Sequence, residues 1–128
     1  MNSDELNELS RLVIGAALEV HRELGAGLLE AVYEQCLAHE LALLGISVER
    51  QLGLPIRYKG IELDAGYRLD LLVANALIVE VKAVESLLPV HSAQLLTYLK
   101  LAICRLGLLL NFNVPVMRDG IRRVANGI

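Results

Sequence analysis

The chain has 128 residues, enough for one domain, spanning residues 1–128, with a buried hydrophobic core. Hydrophobic residues make up 55% of it, but it contains no run of about 18 uncharged apolar residues suited to crossing a bilayer, and its acidic start is unlike a signal peptide. The net charge of −3 excludes an overall field that attracts nucleic acid, but not an enzyme with a local basic groove. We therefore expect a cytoplasmic protein that does not associate with membranes.

Two helices are predicted in the first third of the chain. Apolar residues recur at helical spacing from residue 4 to residue 23, and the sequence LGAG ends this helix. A second helix is predicted from about Leu28 to Leu44, followed by Gly45, because glycine favours the end of a helix. The chain is thus expected to begin with a helical pair.

The hydrophobic period then changes to that of strands. The sequences ISVERQ, LPIRYKG and IELDAGYRLDLLV predict short strands joined by glycine turns, and ALIVEVKAV predicts another strand. A third helix is expected to start at Pro89 and to end near Ile103, because proline suits the first helical turn. RLGLLLNFNV predicts an apolar strand, and VMRDGIRRVA predicts a terminal hairpin that turns at Asp119-Gly120.

The central strands indicate how these elements pack. The strands predicted at 67–73 and 77–82 are largely apolar on both alternate faces. Strands of this kind are covered on both sides. The predicted fold class is therefore α/β (α+β), with a mixed β-sheet flanked by helices.

Three charged residues interrupt the otherwise apolar or small segment DLLVANALIVEVK, which runs from Asp70 to Lys82. Burying a charge is costly, so these residues either lie at a solvated edge or are kept for chemistry. Glu80 and Lys82 are two residues apart in a strand and share one face. If the sequence ANA is a three-residue turn, Val73 pairs with Leu77 and Asp70 lies opposite Glu80. A two-residue turn would place the two carboxylates on opposite faces of the sheet.

Two carboxylates on opposed positions can bind one cation between them. Their Cβ atoms would be about 4.5–5.5 Å apart, and a divalent cation would remove their mutual repulsion. Oxygen ligands of this kind suit Mg²⁺ or Mn²⁺, which also bind substrate phosphate. A neighbouring lysine can orient or deprotonate a water and stabilise negative charge at phosphorus. The alternative is an ordinary strand pair with a surface aspartate and a Glu–Lys ladder.

A second motif lies upstream, in the sequence GLLEAVY with Gly27, Glu30 and Tyr33. With this motif and the downstream Asp…Glu-x-Lys pattern, the chain resembles the GxxExxY family of the PD-(D/E)XK nuclease superfamily. The sequences LPIRYKG, YRLDLLV, IVEVKAV, AQLLTYLK and GLLLNFNV resemble that family's blocks in the same order. The resemblance covers about residues 10 to 125.

The resemblance implies a restriction-endonuclease-like core and a divalent metal cofactor, Mg²⁺ or Mn²⁺. It implies that Asp70 and Glu80 are metal-binding carboxylates, that Lys82 is the catalytic lysine, and that Glu30 joins the metal site as a further catalytic acid. From the residues alone, Glu30 has a second explanation, because a carboxylate in the first turn of a helix is stabilised by the helix dipole.

The resemblance also implies substrate contacts on the third helix. Gln94 and Tyr98 match a glutamine–tyrosine pair of exonuclease-like members of the superfamily. The two residues are four apart and lie on one helix face, where an amide and a phenol can bind phosphate oxygens or satisfy a buried backbone group. Tyr33 shares a helix face with Glu30, and we expect it to bind substrate as well.

These patterns predict a metal-dependent nuclease that acts on nucleic acid, with DNA expected rather than RNA. The alternative is a catalytically weak or inactive nuclease-fold module that binds nucleic acid or a protein partner. The intact Asp–Glu–Lys set favours the enzyme. The small size, the acidic balance and an aromatic content of 4% favour dependence on a partner, because few bases could stack on the domain. A third hypothesis is a hydrolase of another phosphate ester. The mean hydropathy of +0.49 is high for so short a chain, and we expect a homodimer.

Overall fold

Two helices, five strands, a third helix and two further strands follow one another along residues 1–127, the part of the chain that the computed structural model describes. The helices are α1 (Ser3–Leu24), α2 (Glu30–Leu43) and α3 (Pro89–Ala102). The strands are β1 (Val48–Gly53), β2 (Ile56–Tyr58), β3 (Ile61–Leu63), β4 (Arg68–Val73), β5 (Leu77–Lys82), β6 (Leu106–Asn111) and β7 (Ile121–Ala125). The three predicted helices are confirmed to within about two residues at each end.

Five strands form one mixed sheet in the order β1-β4-β5-β6-β7, and β2 and β3 form a separate hairpin. β5 and β6 are parallel, whereas the other neighbouring strands are antiparallel. A parallel pair needs a long crossover connection, and α3 provides it. The site described below lies where β4 begins and β5 ends, between this crossover and the N-terminal helices.

Helices cover both faces of the sheet, because β5 alternates between two hydrophobic cores. Leu77, Val79 and Val81 pack with apolar residues of α1 and α2 on one face. Ile78 packs with Leu95 and other apolar residues of α3 on the opposite face. The predicted mixed sheet flanked by helices is therefore confirmed.

The segment IELDAGYRLDLLV contains two short strands, β3 and β4, and β4 confirms the strand predicted at 67–73 to within one residue. Residues 64–67 lie outside both, and the side chain of Asp64 accepts a hydrogen bond from the backbone N–H of Gly66 at 3.2 Å. A short polar side chain that bonds its own backbone two residues on favours a turn over a strand. The hairpin of β2 and β3 is thereby separated from β4.

The C-terminal segment corrects a prediction. Instead of a hairpin turning at Asp119-Gly120, the structure has a short 3₁₀ helix, Met117–Gly120, followed by the single strand β7. β7 pairs with β6, and Leu110 lies opposite Ile121. The Asp119-Gly120 pair favours a turn through local backbone preference alone. The free edge of β6, by contrast, offers a pairing partner to every residue of β7.

Among residues 1–127, the helices include none with both the length and the apolar composition needed to cross a bilayer.

Gly120 allows the C-terminal segment to approach the end of β6 closely. A Cβ atom at this position would overlap the carbonyl oxygen of Asn111. Asn111 lies opposite Lys82 in the sheet, and its side chain bonds both backbone groups of Val84, at 3.1 Å and 3.0 Å. The lack of a side chain at Gly120 therefore supports the strand end that carries Lys82.

We expect Gly120→Ala to lower the free energy of unfolding by about 1–3 kcal/mol, because overpacking forces backbone shifts. The matched control is Gly15→Ala, on an exposed face of α1 with no atom within 4 Å of the added Cβ. This control should be more stable than the wild type by about 0.5–1 kcal/mol, because alanine favours a helix interior. Urea unfolding of the three proteins checks both signs, and an unchanged Gly120→Ala midpoint would contradict the close approach.

Candidate active site

The β4–β5 hairpin has the register predicted from the sequence ANA. Val73 pairs with Leu77 across a three-residue turn, and the pairing continues to Leu71 and Val79. Asp70 and Glu80 are the next two positions in this register, and their carboxylates meet at the end of the ladder. The two-residue turn, which would have separated them, is excluded.

Beyond the last ladder pair, the two carboxylates bond to the backbone of the opposite strand. The backbone N–H of Asp70 donates to Oε2 of Glu80 at 3.0 Å, and the backbone N–H of Val81 donates to Oδ2 of Asp70 at 2.8 Å. We call the space that opens here between β4 and β5 the fork. Both backbone amides thus have a hydrogen-bond acceptor, and the two carboxylates lie side by side in the fork.

The environment of the fork changes the acidity of Glu80. This residue is only 5% exposed. Its pKa is raised to about 9, first by burial, then by the negative charge of Asp70 and a hydrogen bond with that carboxylate, while the charge of Lys82 acts in the opposite direction. At neutral pH the pair therefore carries one proton, which a divalent cation can replace.

Lys82 ends β5 two residues after Glu80, so both side chains lie on the same face of the strand. Its backbone carbonyl accepts a hydrogen bond from the N–H of Phe112 at 3.0 Å, which holds the strand end against β6. None of the ion pairs found in residues 1–127 involves Lys82. The positive charge of Lys82 nevertheless acts to lower the pKa of Glu80, so its ammonium group lies within electrostatic reach of the carboxylates.

Glu30 approaches the same region from α2. Its Oε1 accepts a hydrogen bond from the backbone N–H of Ala83 at 3.3 Å, just after β5. Glu30 and Asp70 also line one cleft of about 280 Å³. Within residues 1–127, no three His, Cys, Asp or Glu side chains are close enough together to hold one metal ion. Glu30 therefore lies at the rim of a two-carboxylate site.

Tyr33 does not lie where a substrate contact was expected. Its side chain is fully buried and stacks on Phe112 with a centroid distance of 4.6 Å. The hydroxyl donates to the carbonyl of Gly25 at 2.7 Å and accepts from the N–H of Leu28 at 3.0 Å. Burial and these two bonds give Tyr33 a structural role, fixing the loop that leads into α2 and Glu30. We therefore remove it from the substrate-binding set.

Gln94 and Tyr98 line a different cavity, of about 410 Å³, between α3 and the β2–β3 hairpin. The ring of Tyr98 packs edge-to-face on Tyr67 with a centroid distance of 6.1 Å. Burial raises the pKa of Tyr98, and the negative charges of Glu80, Tyr67 and Asp70 add to this rise. Tyr98 is thus within electrostatic reach of the fork, and Gln94 is exposed at the same cavity.

Comparison with known proteins gives one family. A model described as PD-(D/E)XK nuclease superfamily matches residues 7–124. The chain belongs to the PD-(D/E)XK nuclease superfamily. Its mixed sheet with flanking helices is the restriction-endonuclease-like core expected of that superfamily, whereas the GxxExxY assignment within it stays a prediction from the motif. No curated protein and no solved structure matches the chain significantly.

The PD-(D/E)XK pattern does not include three polar residues that the structure brings to the cleft: Glu34, Arg50 and Gln51. Oε2 of Glu34 accepts from Arg50 at 2.9 Å, and its Oε1 accepts from Nε2 of Gln51 at 2.6 Å. The same Nε2 also donates to Oδ1 of Asp70 at 3.3 Å. Sequence reasoning missed all three, although Glu34 lies four residues after Glu30 and so on the same helix face.

The raised pKa of Glu80 predicts how stability depends on pH. Between its ordinary value of 4.5 and about 9, the folded state keeps a proton that the unfolded state has lost. The free energy of unfolding of the metal-free protein should therefore fall as the pH rises through this range, by at most about 1.4 kcal/mol per pH unit. Glu80→Gln, which cannot ionise, should flatten this slope and be more stable than the wild type near the upper end of the range.

Urea unfolding in the presence of a chelator, repeated across this pH range, measures the effect. Glu85→Gln is the control, since it removes the same charge at an exposed position after β5, and it should keep the slope of the wild type. Parallel profiles for the wild type and Glu80→Gln would contradict the protonated pair.

Proposed function

We propose that the chain is a metal-dependent nuclease that hydrolyses phosphodiester bonds, in DNA rather than in RNA. The observation that carries this proposal is the meeting of Asp70 and Glu80 in the fork, with Lys82 two residues further along the same strand. Membership of a nuclease superfamily supports the reaction type. The choice of DNA is our own expectation.

The carboxylate pair fits a divalent cation, Mg²⁺ or Mn²⁺. Oδ2 of Asp70 and Oε2 of Glu80 each accept a backbone N–H, and Oδ1 of Asp70 accepts a longer bond of 3.3 Å from Gln51. A carboxylate oxygen can accept more than one bond, so the pair keeps lone pairs for a cation. Glu30 would act from the rim, outside the set of direct ligands. A divalent cation, when bound, supplies positive charge for phosphate oxygens and makes an attacking water more acidic.

The residues of the chain orient and assist the reaction. Asp70 and Glu80 would hold the cation that attracts the scissile phosphate, and their own orientation is set by the backbone. Lys82 places a positive charge beside Glu80, where it stabilises negative charge that develops on the phosphate oxygens. Its N–H groups can also donate a hydrogen bond that orients the attacking water.

Gln94 and Tyr98 are proposed to bind the nucleotide next to the scissile phosphate. The cavity that they line combines an apolar wall, including Ile56 and Leu63, with the polar groups of the amide and the phenol. Sites of this composition bind small organic groups. Because Tyr98 is within electrostatic reach of the fork, the cavity suits one nucleotide of a longer substrate.

The acidic cleft favours the second candidate function, a nuclease-fold module that binds a partner without efficient cleavage. Glu30, Glu34 and Asp70 line the cleft with one cation, Arg50. Without a metal ion, this excess of negative charge repels a phosphate backbone. Cleavage assays with Mg²⁺, Mn²⁺ or chelator on plasmid, linear duplex, single-stranded DNA and RNA distinguish the two functions, since only a nuclease gives metal-dependent products.

Lys82→Ala is expected to lower kcat by roughly 10²- to 10³-fold while KM and Mn²⁺ binding stay near the wild-type values. The reason is that the ammonium stabilises charge that develops only during the reaction. The control is Lys100→Ala, which removes the same group from an exposed position of α3 and should retain activity.

Asp70→Asn, which keeps a side chain of the same shape, should lose both Mn²⁺ binding and cleavage. Full activity of Asp70→Asn would rule out the proposed site.

Tyr98→Phe tests the cavity separately. Loss of the hydroxyl removes one hydrogen bond to substrate, worth about 0.5–1.5 kcal/mol, and so should raise KM by roughly 2- to 10-fold with little change in kcat. Tyr58→Phe, at an exposed position of the β2–β3 hairpin, is the matched control. Equal steady-state constants for the two variants would remove the cavity from the proposal.

A further inference from the structure

Gln51 has a backbone conformation that its side-chain type does not favour. Its φ of 51° lies in the left-handed region, where non-glycine residues other than Asn and Asp are uncommon. Such a conformation persists only where the surroundings hold it in place. It interrupts the pairing of β1 with β4, because Arg50 pairs with Leu71 and Leu52 with Leu69, but Gln51 itself is not paired.

The unpaired position lies directly opposite Asp70 in this register, and the contact between the two residues is made by their side chains. Nε2 of Gln51 donates to Oδ1 of Asp70 at 3.3 Å and to Oε1 of Glu34 at 2.6 Å. Both acceptors are carboxylate oxygens, so the amide must present its N–H groups to them. The orientation of the Gln51 amide is therefore determined by its partners.

Glu34 provides a rigid anchor for this amide. Its side chain is only 7% exposed and forms an ion pair of 2.9 Å with Arg50, which is itself a neighbour of Gln51 in β1. A buried carboxylate that accepts from two side chains is held in one geometry. The anchor thus ties α2 to β1 directly beside the fork.

Both oxygens of Asp70 are consequently directed, Oδ2 by the N–H of Val81 and Oδ1 by Gln51. We propose that Gln51 is a positioning residue, which fixes the carboxylate plane of Asp70 for cation binding and is itself held by Glu34. The role rests on the proposed function, because it assigns to Asp70 the task of a metal ligand. Residues that orient metal ligands typically change metal affinity or activity by about 10- to 100-fold when they are replaced.

Gln51→Met tests this role, because methionine has a similar length and no N–H donor. The control is Gln35→Met, the same substitution at an exposed position of α2. Calorimetric titration of the protein with Mn²⁺, without nucleic acid, should show affinity weakened by roughly 10-fold or more in Gln51→Met and unchanged in Gln35→Met. In the cleavage assay, kcat should fall while KM for the nucleic acid stays the same. Wild-type Mn²⁺ affinity in Gln51→Met would overturn the inference.

A metal-free measurement separates this inference from the proposed function. Urea unfolding of the wild type, Gln51→Met, Asp70→Ala and the double variant should show that Gln51→Met lowers the folding equilibrium constant more when Asp70 is present than in the Asp70→Ala background, because the bond to Glu34 is lost in both. If the wild type neither binds Mn²⁺ nor cleaves nucleic acid, the proposed function fails, and this coupling alone decides whether Gln51 positions Asp70. Independent, additive effects of the two substitutions would overturn the positioning role even in an active nuclease.

Discussion

The exchange of hydrogen bonds between Asp70 and β5 is the interaction on which the rest of the structure depends. Two backbone amides donate to carboxylates where a continued sheet would require carbonyls. The strands can therefore separate without leaving polar groups unsatisfied, which would otherwise cost about 1–3 kcal/mol for each buried donor. What remains is a conflict between two negative charges, and a shared proton or a cation resolves it.

The elements around the fork contribute to it from opposite sides. α2 brings Glu30 to the end of β5, and the loop before α2 is fixed because the hydroxyl of Tyr33 bonds it twice. α3 is the crossover that a parallel β5–β6 pair requires, and it places Tyr98 on the other side. The same helices that bury the two cores thus also form the walls of the site.

Much of this architecture could be predicted because it depends on local patterns. Hydrophobic periodicity predicted the helices and most strands. A three-residue turn together with strand alternation predicted the register in which Asp70 lies opposite Glu80. The rest depends on contacts that no local pattern contains. Tyr33 packs on Phe112, which is distant in the chain. Gln51 meets Asp70 through the pairing of β1 with β4, and its left-handed backbone had no signal in the sequence. The predicted terminal hairpin was wrong for a similar reason, because β7 pairs with β6, which lies outside the segment predicted to form the hairpin.

The bonds of Asp70 and Glu80 to the backbone also limit how sequences of this fold can drift. A residue at either position that accepts no hydrogen bond would leave a backbone amide in the fork without its partner, so the fold itself selects against it. Asparagine or glutamine at these positions would remove the repulsion and keep an acceptor for each amide. Amides at both positions in a related chain would therefore preserve the sheet while removing the negative charge that a cation needs.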